Sequence, residues 1–378
     1  MKVLQAMIPL GMIAVAACAD GSAPLEPNAG ALDAAARASA GAGAVYVQTN
    51  DAAGNAVLRF ERTADGALAD PTSYATGGEG SGSGLANQGA IALSRGGQFL
   101  YVVNAGSDEV SGFRVGSSGL DLIGTWPSGG DLPISLTITG SRLYVLHDGS
   151  ATTIAGFDVS PGGELSPIAG SGATLPGTAP DAAEIAATPD GTRLVVTEKA
   201  TSMIVTYPLH ADGSLGTPVS TPSNGAVPFG FAFGNDGSLI VTEAGGGPAG
   251  SSAVSGYAAD GLSWQIVSAS LTSGQNAACW VAVSPNGHLA YATNTASGSL
   301  SGFAVGRNGE LAGLGSSGGT TATAATPVDL AFSRNGQLVY VLNSGAHVLS
   351  AYHVASDGSL APLGQVAVPA GANGLAAE

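Results

Sequence analysis

Charge is scarce in this chain, and positive charge is scarcest. Only 10% of the 378 residues are Asp, Glu, Lys or Arg, with 11 Lys and Arg against 27 Asp and Glu. A protein that binds a polyanion needs Lys and Arg to displace counterions, so a formal net charge of −16 excludes nucleic acid as a partner. Aromatic residues are few, at 6%, and the Lys, Glu and Leu content of an ordinary helical protein is missing. Two cysteines, Cys18 and Cys279, do not make a disulfide framework. No metal-ligand spacing, phosphate loop or nucleophile elbow occurs, so neither a metal nor a cofactor is expected. What the chain has in quantity is glycine, 59 residues, with Ser, Thr and Val. That mixture favours short strands joined by tight turns.

The first residues read as an export signal. Lys2 is followed by an apolar run to Ala17, too short for a comfortable membrane span. Val15-Ala16-Ala17-Cys18 resembles a bacterial lipobox, which implies lipidation of Cys18 after removal of residues 1–17. In that family an Asp two positions later, here Asp20, implies retention at the inner membrane. Ordinary cleavage with Cys18 as a bystander is the alternative. Residues 18–42 are mostly Ala, Gly, Ser and Pro; they have too little apolar surface to bury and read as a disordered tether.

From residue 43 onward the chain repeats. Phe60, Phe113, Phe157, Tyr207, Tyr257, Phe303 and Tyr352 close matching segments of the type Val110-Ser111-Gly112-Phe113, spaced 53, 44, 50, 50, 46 and 49 residues apart. Such periods fit one four-stranded propeller blade each. Each aromatic is followed by a turn, from Asp65-Gly66 to Asp357-Gly358, seven in all. A second turn type, from Gly96-Gly97 to Asn335-Gly336, occurs six times. The first blade thus starts at its second strand, Ala44-Val45-Tyr46-Val47. The missing inner strand aligns with Asn373-Gly374-Leu375-Ala376-Ala377 at the other end of the chain. The expectation is an all-β, seven-bladed propeller over 43–378 whose ring is closed by the C-terminal strand, leaving no exposed sheet edge.

Function in such a ring collects where second strands end and inner strands begin. The position three past each second-strand anchor is Thr49, Asn104, His147, Glu198, Glu243, Asn294 and Asn343. Asn caps turns routinely, and Asn104, Asn294 and Asn343 can do that as well as line a ligand. Glu is a poorer turn former, which makes Glu198 and Glu243 candidates for acid–base work, with His147 assisting. Lys199 can serve a ligand or form a plain salt bridge. Near the inner-strand starts, Phe229, Trp280, Glu184 and Asp329 are candidate lining residues; Trp280 can stack on a ring or fill the axis as core. Cys279 reads as a buried, inert thiol, and His347 is a weak further candidate.

Leu338-Val339-Tyr340-Val341-Leu342-Asn343 and Ser284-Pro285-Asn286-Gly287 resemble the bacterial lactonase-like propellers, which include propeller 6-phosphogluconolactonases, carboxymuconate-cyclase-like proteins and YVTN-repeat proteins. Thr197-Glu198-Lys199-Ala200-Thr201, Pro228-Phe229-Gly230-Phe231 and Ala278-Cys279-Trp280 look like the 3-carboxymuconate cyclase branch. The resemblance covers about 43–378. It implies His and Arg at the inner-strand starts to polarise a lactone and hold its phosphate or carboxylate; here those places hold Ala183-Glu184, Phe229-Gly230 and Cys279-Trp280. Glu243 alone matches a Glu of those lactonases. The resulting expectation is a monomeric propeller of the bacterial cell envelope, lipid-anchored and periplasm-facing or secreted. It binds a small molecule, glycan or protein at the channel mouth and touches membrane only through its lipid. A divergent lactone hydrolase or cyclase using Glu198 and Glu243 is the alternative.

Overall fold

A computed structural model describes residues 43–378 apart from 64, 246–248 and 316–319. The signal segment 1–17, Cys18 and the tether 18–42 lie outside the described residues. Seven antiparallel sheets follow one another around a ring, each running from an inner strand to an outer one. Among the described residues the only helical element is the single 3-10 turn Arg307–Gly309, and no helix is long and apolar enough to cross a membrane. Blades 2 to 7 begin at the inner strands Ile91–Leu93, Pro133–Thr139, Ala182–Ala187, Pro228–Phe233, Ala278–Val283 and Pro327–Phe332.

Blade 1 is assembled from both ends of the propeller. Ala44–Gln48 pairs with Ala56–Glu61 on one side and with Asn373–Ala377 on the other, Tyr46 standing opposite Ala376 and Val47 opposite Leu375. The tail is packed as well as paired. Leu375 sits in a core with Val45, Leu338 and Tyr340, and Ala376 in the next core with Tyr46, Ile91 and Val102. The strand therefore wedges blade 1 against both neighbours.

The repeated tyrosines explain how blades grip one another. Tyr101, Tyr144 and Tyr291 are buried second-strand residues. Each donates its hydroxyl to the carbonyl of a turn glycine in the following blade: Gly163 at 2.8 Å, Gly213 at 2.9 Å and Gly358 at 2.6 Å. These glycines have φ near +90° (+93°, +88° and +80°), a region closed to residues with a Cβ. The turn thus presents its carbonyl where the tyrosine needs it, and a buried phenol finds the partner it requires.

The propeller has an upper face, formed by the connectors that lead into the inner strands and by the hairpins between second and third strands. All the connectors but one are short, four to seven residues. The exception joins Thr72–Ala75 of blade 1 to Ile91–Leu93 of blade 2 and spans residues 76–90. It accounts for the longest repeat spacing, and it decides what the upper face can do.

Candidate functional site

Inner strands carry a register shift at their upper ends, between Pro133 and Ser135, Ala182 and Glu184, Pro228 and Phe231, Ala278 and Val281, and Pro327 and Asp329. A bulge frees backbone groups that a regular ladder would pair, and buried ones must find other partners. Threonines take some: Thr242 donates to the carbonyls of Gly230 and Cys279, both at 2.8 Å. The long connector takes others.

Residues 85–89 of that connector cross the channel mouth. Gln88 bridges to blade 6, its Nε2 donating to the Val281 carbonyl at 2.9 Å and its Oε1 accepting from the Val281 amide at 3.2 Å. The Gln88 amide donates to Ala183 of blade 4 at 3.0 Å, and the Asn87 side chain donates to Ile134 of blade 3. Trp280 donates its indole N–H to the Asn87 carbonyl at 2.6 Å. Lys199 donates to the Ala86 carbonyl at 2.8 Å. Gly230 lies so close beneath that a Cβ there would sit 2.0 Å from Gln88 Oε1. The segment is thus a plug made of the protein's own chain. Asn87 and Gln88 were not among the candidate residues; the 53-residue spacing was their sequence signal, but a run of Gly and Ser does not say where it goes.

The plug buries several candidate residues. Trp280 and Phe229 pack in a tilted contact, 4.8 Å between ring centroids and 52° between planes, beneath it, 5% and 7% exposed. Lys199 lies 5.1 Å over the Phe229 ring and pairs with Asp181 at 3.0 Å, not with Glu198. Cys279 is buried, and burial pushes its thiol up to about 11, as an inert cysteine requires. His347 is exposed in the second hairpin of blade 7.

The ring of residues ending the second strands does not open onto the mouth. Thr49, Asn104, His147, Glu198, Glu243, Asn294 and Asn343 are all buried. Asn104, Asn294 and Asn343 donate to Ser111, Ser301 and Ser350 on the third strand, at 2.7, 2.9 and 3.0 Å. Glu243 takes the same place with a carboxylate. Its Oε1 accepts from the Gly225 amide at 2.8 Å and the Ser255 hydroxyl at 2.5 Å, and its Oε2 from Ser270 at 2.6 Å. His147 touches the carbonyls of Thr153 at 3.2 Å and Ser128 at 3.1 Å, and burial lowers its pKa. A neutral ring can donate to only one of these carbonyls; with Nε2–H on Ser128, Nδ1 is left to accept from the Thr153 hydroxyl at 3.4 Å. Glu198 is held by Thr201, and burial raises its pKa. The structure therefore places Glu198, Glu243 and His147 in separate seams within and between blades.

Two carboxyls remain in the channel wall. Glu184 accepts from the Phe231 amide at 2.7 Å, and Asp329 from the Leu330 amide at 2.8 Å. Burial pushes Asp329 up to about 8 and holds Glu184 well above the ordinary carboxylate range, with the Asp329 charge adding to it. A carboxyl that keeps its proton in the fold but loses it near pH 4 when unfolded makes the folded state bind more protons between those values, so stability falls as pH rises. Tm is expected to decline from about pH 4 to about pH 8. Asp329→Asn should remove part of that decline in a calorimetric pH series, and an unchanged slope would count against a neutral Asp329.

Against known proteins, the model of the family described as lactonase, seven-bladed β-propeller, matches residues 45–171 and 244–377. The chain belongs to this lactonase family. Among curated proteins no relative matches. Several solved structures share the fold. A putative 6-phosphogluconolactonase from Bacteroides fragilis is 20% identical, with a TM-score of 0.69 over 89% of this chain and 98% of its own. The periplasmic gluconolactonase of Pseudomonas aeruginosa is 19% identical, with a TM-score of 0.69 over 89% and 99%. A Lactobacillus plantarum protein is 16% identical, with a TM-score of 0.71 over 89% and 100%.

This lactonase-family propeller gathers its arginines on its lower face, while acids stand on both faces. Of the nine Lys and Arg among the described residues, the eight arginines lie in or reach toward the lower-face turns. Arg142, for example, holds His210 and Ala211 carbonyls, and Arg193 holds Gly261. The upper loops carry Asp51, Glu79, Asp108, Glu109, Asp131, Asp148 and Asp181, with one exposed histidine, His347; among the described residues the only Lys or Arg there is Lys199, 8% exposed. Beside the plug, an open cleft of about 470 Å³ separates the upper loops of blades 3 and 4, with Asp148 and Asp181 on its walls.

Proposed function

We propose that the chain is a binding propeller of the lactonase family that takes a neutral or cationic ligand on its upper face and turns over no sugar-acid lactone. The observation that carries this reading is the closed mouth: residues 85–89 occupy the space above the inner strands and spend the polar groups that line it. The charge pattern points the same way. Acid side chains and one buried, paired lysine repel a phosphorylated or carboxylated substrate, and nothing on that face offers the bidentate grip an arginine gives such groups. The carboxylates best suited to act on a lactone, Glu198 and Glu243, are occupied by the protein's own donors. A signal segment at 1–17 and a lipobox ending at Cys18 support a lipid-anchored monomer facing the periplasm, with its ligand met outside the cytoplasm.

The test is direct. Purified propeller incubated with glucono-δ-lactone and with 6-phosphogluconolactone is expected to hydrolyse neither faster than buffer. Turnover more than about tenfold above the blank, abolished by Glu243→Gln, would establish the hydrolase instead.

A further inference from the structure

The upper ends of the inner strands share one device. At the bulge, a side chain of one blade accepts an amide of the next: Ser135 takes Ile185 at 3.1 Å, and Glu184 takes Phe231 at 2.7 Å. Blade 5 carries Gly230 at that place, so it has no side chain to offer the Val281 amide of blade 6. Gln88 fills the gap from the connector. Its carboxamide closes on both the amide and the carbonyl of Val281, the double bond exchange that a main-chain residue makes in an antiparallel ladder. The fit requires the glycine, since a Cβ at 230 would meet Gln88 Oε1.

The occupant is held as a peptide in its other contacts too. The Asn87 carbonyl accepts from the Trp280 indole, the Gln88 amide donates to Ala183, and the Asn87 side chain donates to Ile134. These partners are neutral, and together they read a two-residue segment with a carboxamide on each side chain. The segment is anchored on either side. Asn50 holds the Ser81 amide at 2.9 Å and the Ser83 carbonyl at 2.6 Å, and the Gly89 carbonyl accepts from the Leu136 amide at 2.8 Å. Next to these anchors, Gly84 has open space around it and Gly89 sits at φ +83°, glycines about which a flap can turn. Gly82, Ser83, Gly84 and Ala86 face solvent, so nothing above has to move when residues 85–88 lift. Held down, the flap leaves Asn87 Oδ1 buried without a partner, a cost that release removes.

We propose that the channel mouth is a peptide-recognition site, occupied at rest by the chain's own Asn87-Gln88 and opened to a partner polypeptide that presents an uncharged Asn-Gln-type segment. The tethered pair states the chemistry of the ligand. A partner segment makes the same main-chain and carboxamide bonds, and the resting flap lowers its apparent affinity by the fraction of time the flap is up. Ionised Asp and Glu side chains fail in the same places, because a carboxylate has no proton to donate to the Ile134 and Val281 carbonyls. The proposal rests on the reading of the upper face as one that takes neutral ligands and excludes anions.

Calorimetric titration of the propeller with two capped peptides tests it: Leu-Ala-Asn-Gln-Gly, the sequence of residues 85–89, and Leu-Ala-Asp-Glu-Gly, both acetylated and N-methylamidated. The parent is expected to bind the first, and to bind the second at least about tenfold more weakly. Gln88→Gly, which frees the Val281 pair, should bind the first peptide at least about tenfold more tightly than the parent does. Trp280→Phe, which removes the indole donor, should weaken it about fivefold or more. No binding of the first peptide to the parent, equal binding of the two peptides, or an affinity that Gln88→Gly leaves unchanged would overturn the assignment. Where Gln88→Gly does not fold, an affinity that Trp280→Phe leaves unchanged does so. Failure here is distinct from failure of the non-lactonase reading, which only the lactone assay decides.

Discussion

Deleting residues 373–378 is expected to abolish cooperative folding. The lost segment supplies the inner strand of blade 1, and with it every ladder bond on that side of Ala44–Gln48. Leu375 and Ala376 leave two separate cores, so the gap opens both the blade 7–1 and the blade 1–2 interfaces. A buried leucine is worth about 2–5 kcal/mol, and each of the lost hydrogen bonds about 1 kcal/mol. The bond from the Glu378 amide to the Ala44 carbonyl at 3.0 Å and that from Arg62 to the Glu378 carbonyl at 3.1 Å go too. The sum is comparable to the whole stability of an ordinary domain, about 5–15 kcal/mol. The truncated chain should show no sharp thermal transition and should bind a hydrophobic dye. A permutant controls for simple loss of mass. Because Glu378 ends against Ala44, moving 373–378 ahead of residue 43 through a short turn rebuilds the same hairpin that other blades have. It should restore the transition. A truncated chain that melts within a few degrees of the parent would show that closure is dispensable.

This closure was legible because it is a counting argument. Seven turns of one kind and six of the other leave one strand unaccounted for, and glycines at six of the seven and all six positions adopt positive φ. Side-chain direction was harder to read. A residue at the end of a second strand can point into the mouth or back into the sheet, and the choice depends on a third-strand partner seven residues on: Ser111 for Asn104, Ser301 for Asn294, Ser350 for Asn343. That Asn–Ser spacing is visible in the repeat and marks the position as an internal brace. Glu243 escaped the pattern because its hairpin is longer, which puts Ser255 twelve residues away. The plug was opaque for another reason. Asn87 and Gln88 find partners in blades 3, 4 and 6, between 47 and 193 residues along the chain, and only a closed ring brings those blades together.

Glu243 is where the two readings of the site differ most. A catalytic carboxylate faces substrate, so its removal costs activity and leaves stability unchanged or improved. In the structure Glu243 instead gathers three donors from three segments: the Gly225 amide, the Ser255 hydroxyl on the third strand and Ser270 on the outer strand. It is 2% exposed, and a Cβ on Gly225 would meet its Oε2 at 2.1 Å, which leaves no room for a ligand between them. Glu243→Ala strands those donors in a buried site and opens a cavity, a loss of about 3–5 kcal/mol. At about 1.4 °C per kcal/mol for a propeller spanning residues 43–378, Tm should fall by about 4–7 °C. Glu243→Gln keeps one acceptor for Gly225 and Ser255, and the Ser270 hydroxyl can rotate to accept from the new amide, so its loss should be smaller, about 1–2 kcal/mol. The ordering separates a brace from a base: the brace loses stability from Gln to Ala in graded steps, and combining Glu243→Ala with Ser255→Ala should cost less than the two single losses added together, because each removes the same bond. If Glu243→Ala melts within about 2 °C of the parent, the carboxylate bears no structural load, and its place beneath the upper face needs a chemical explanation.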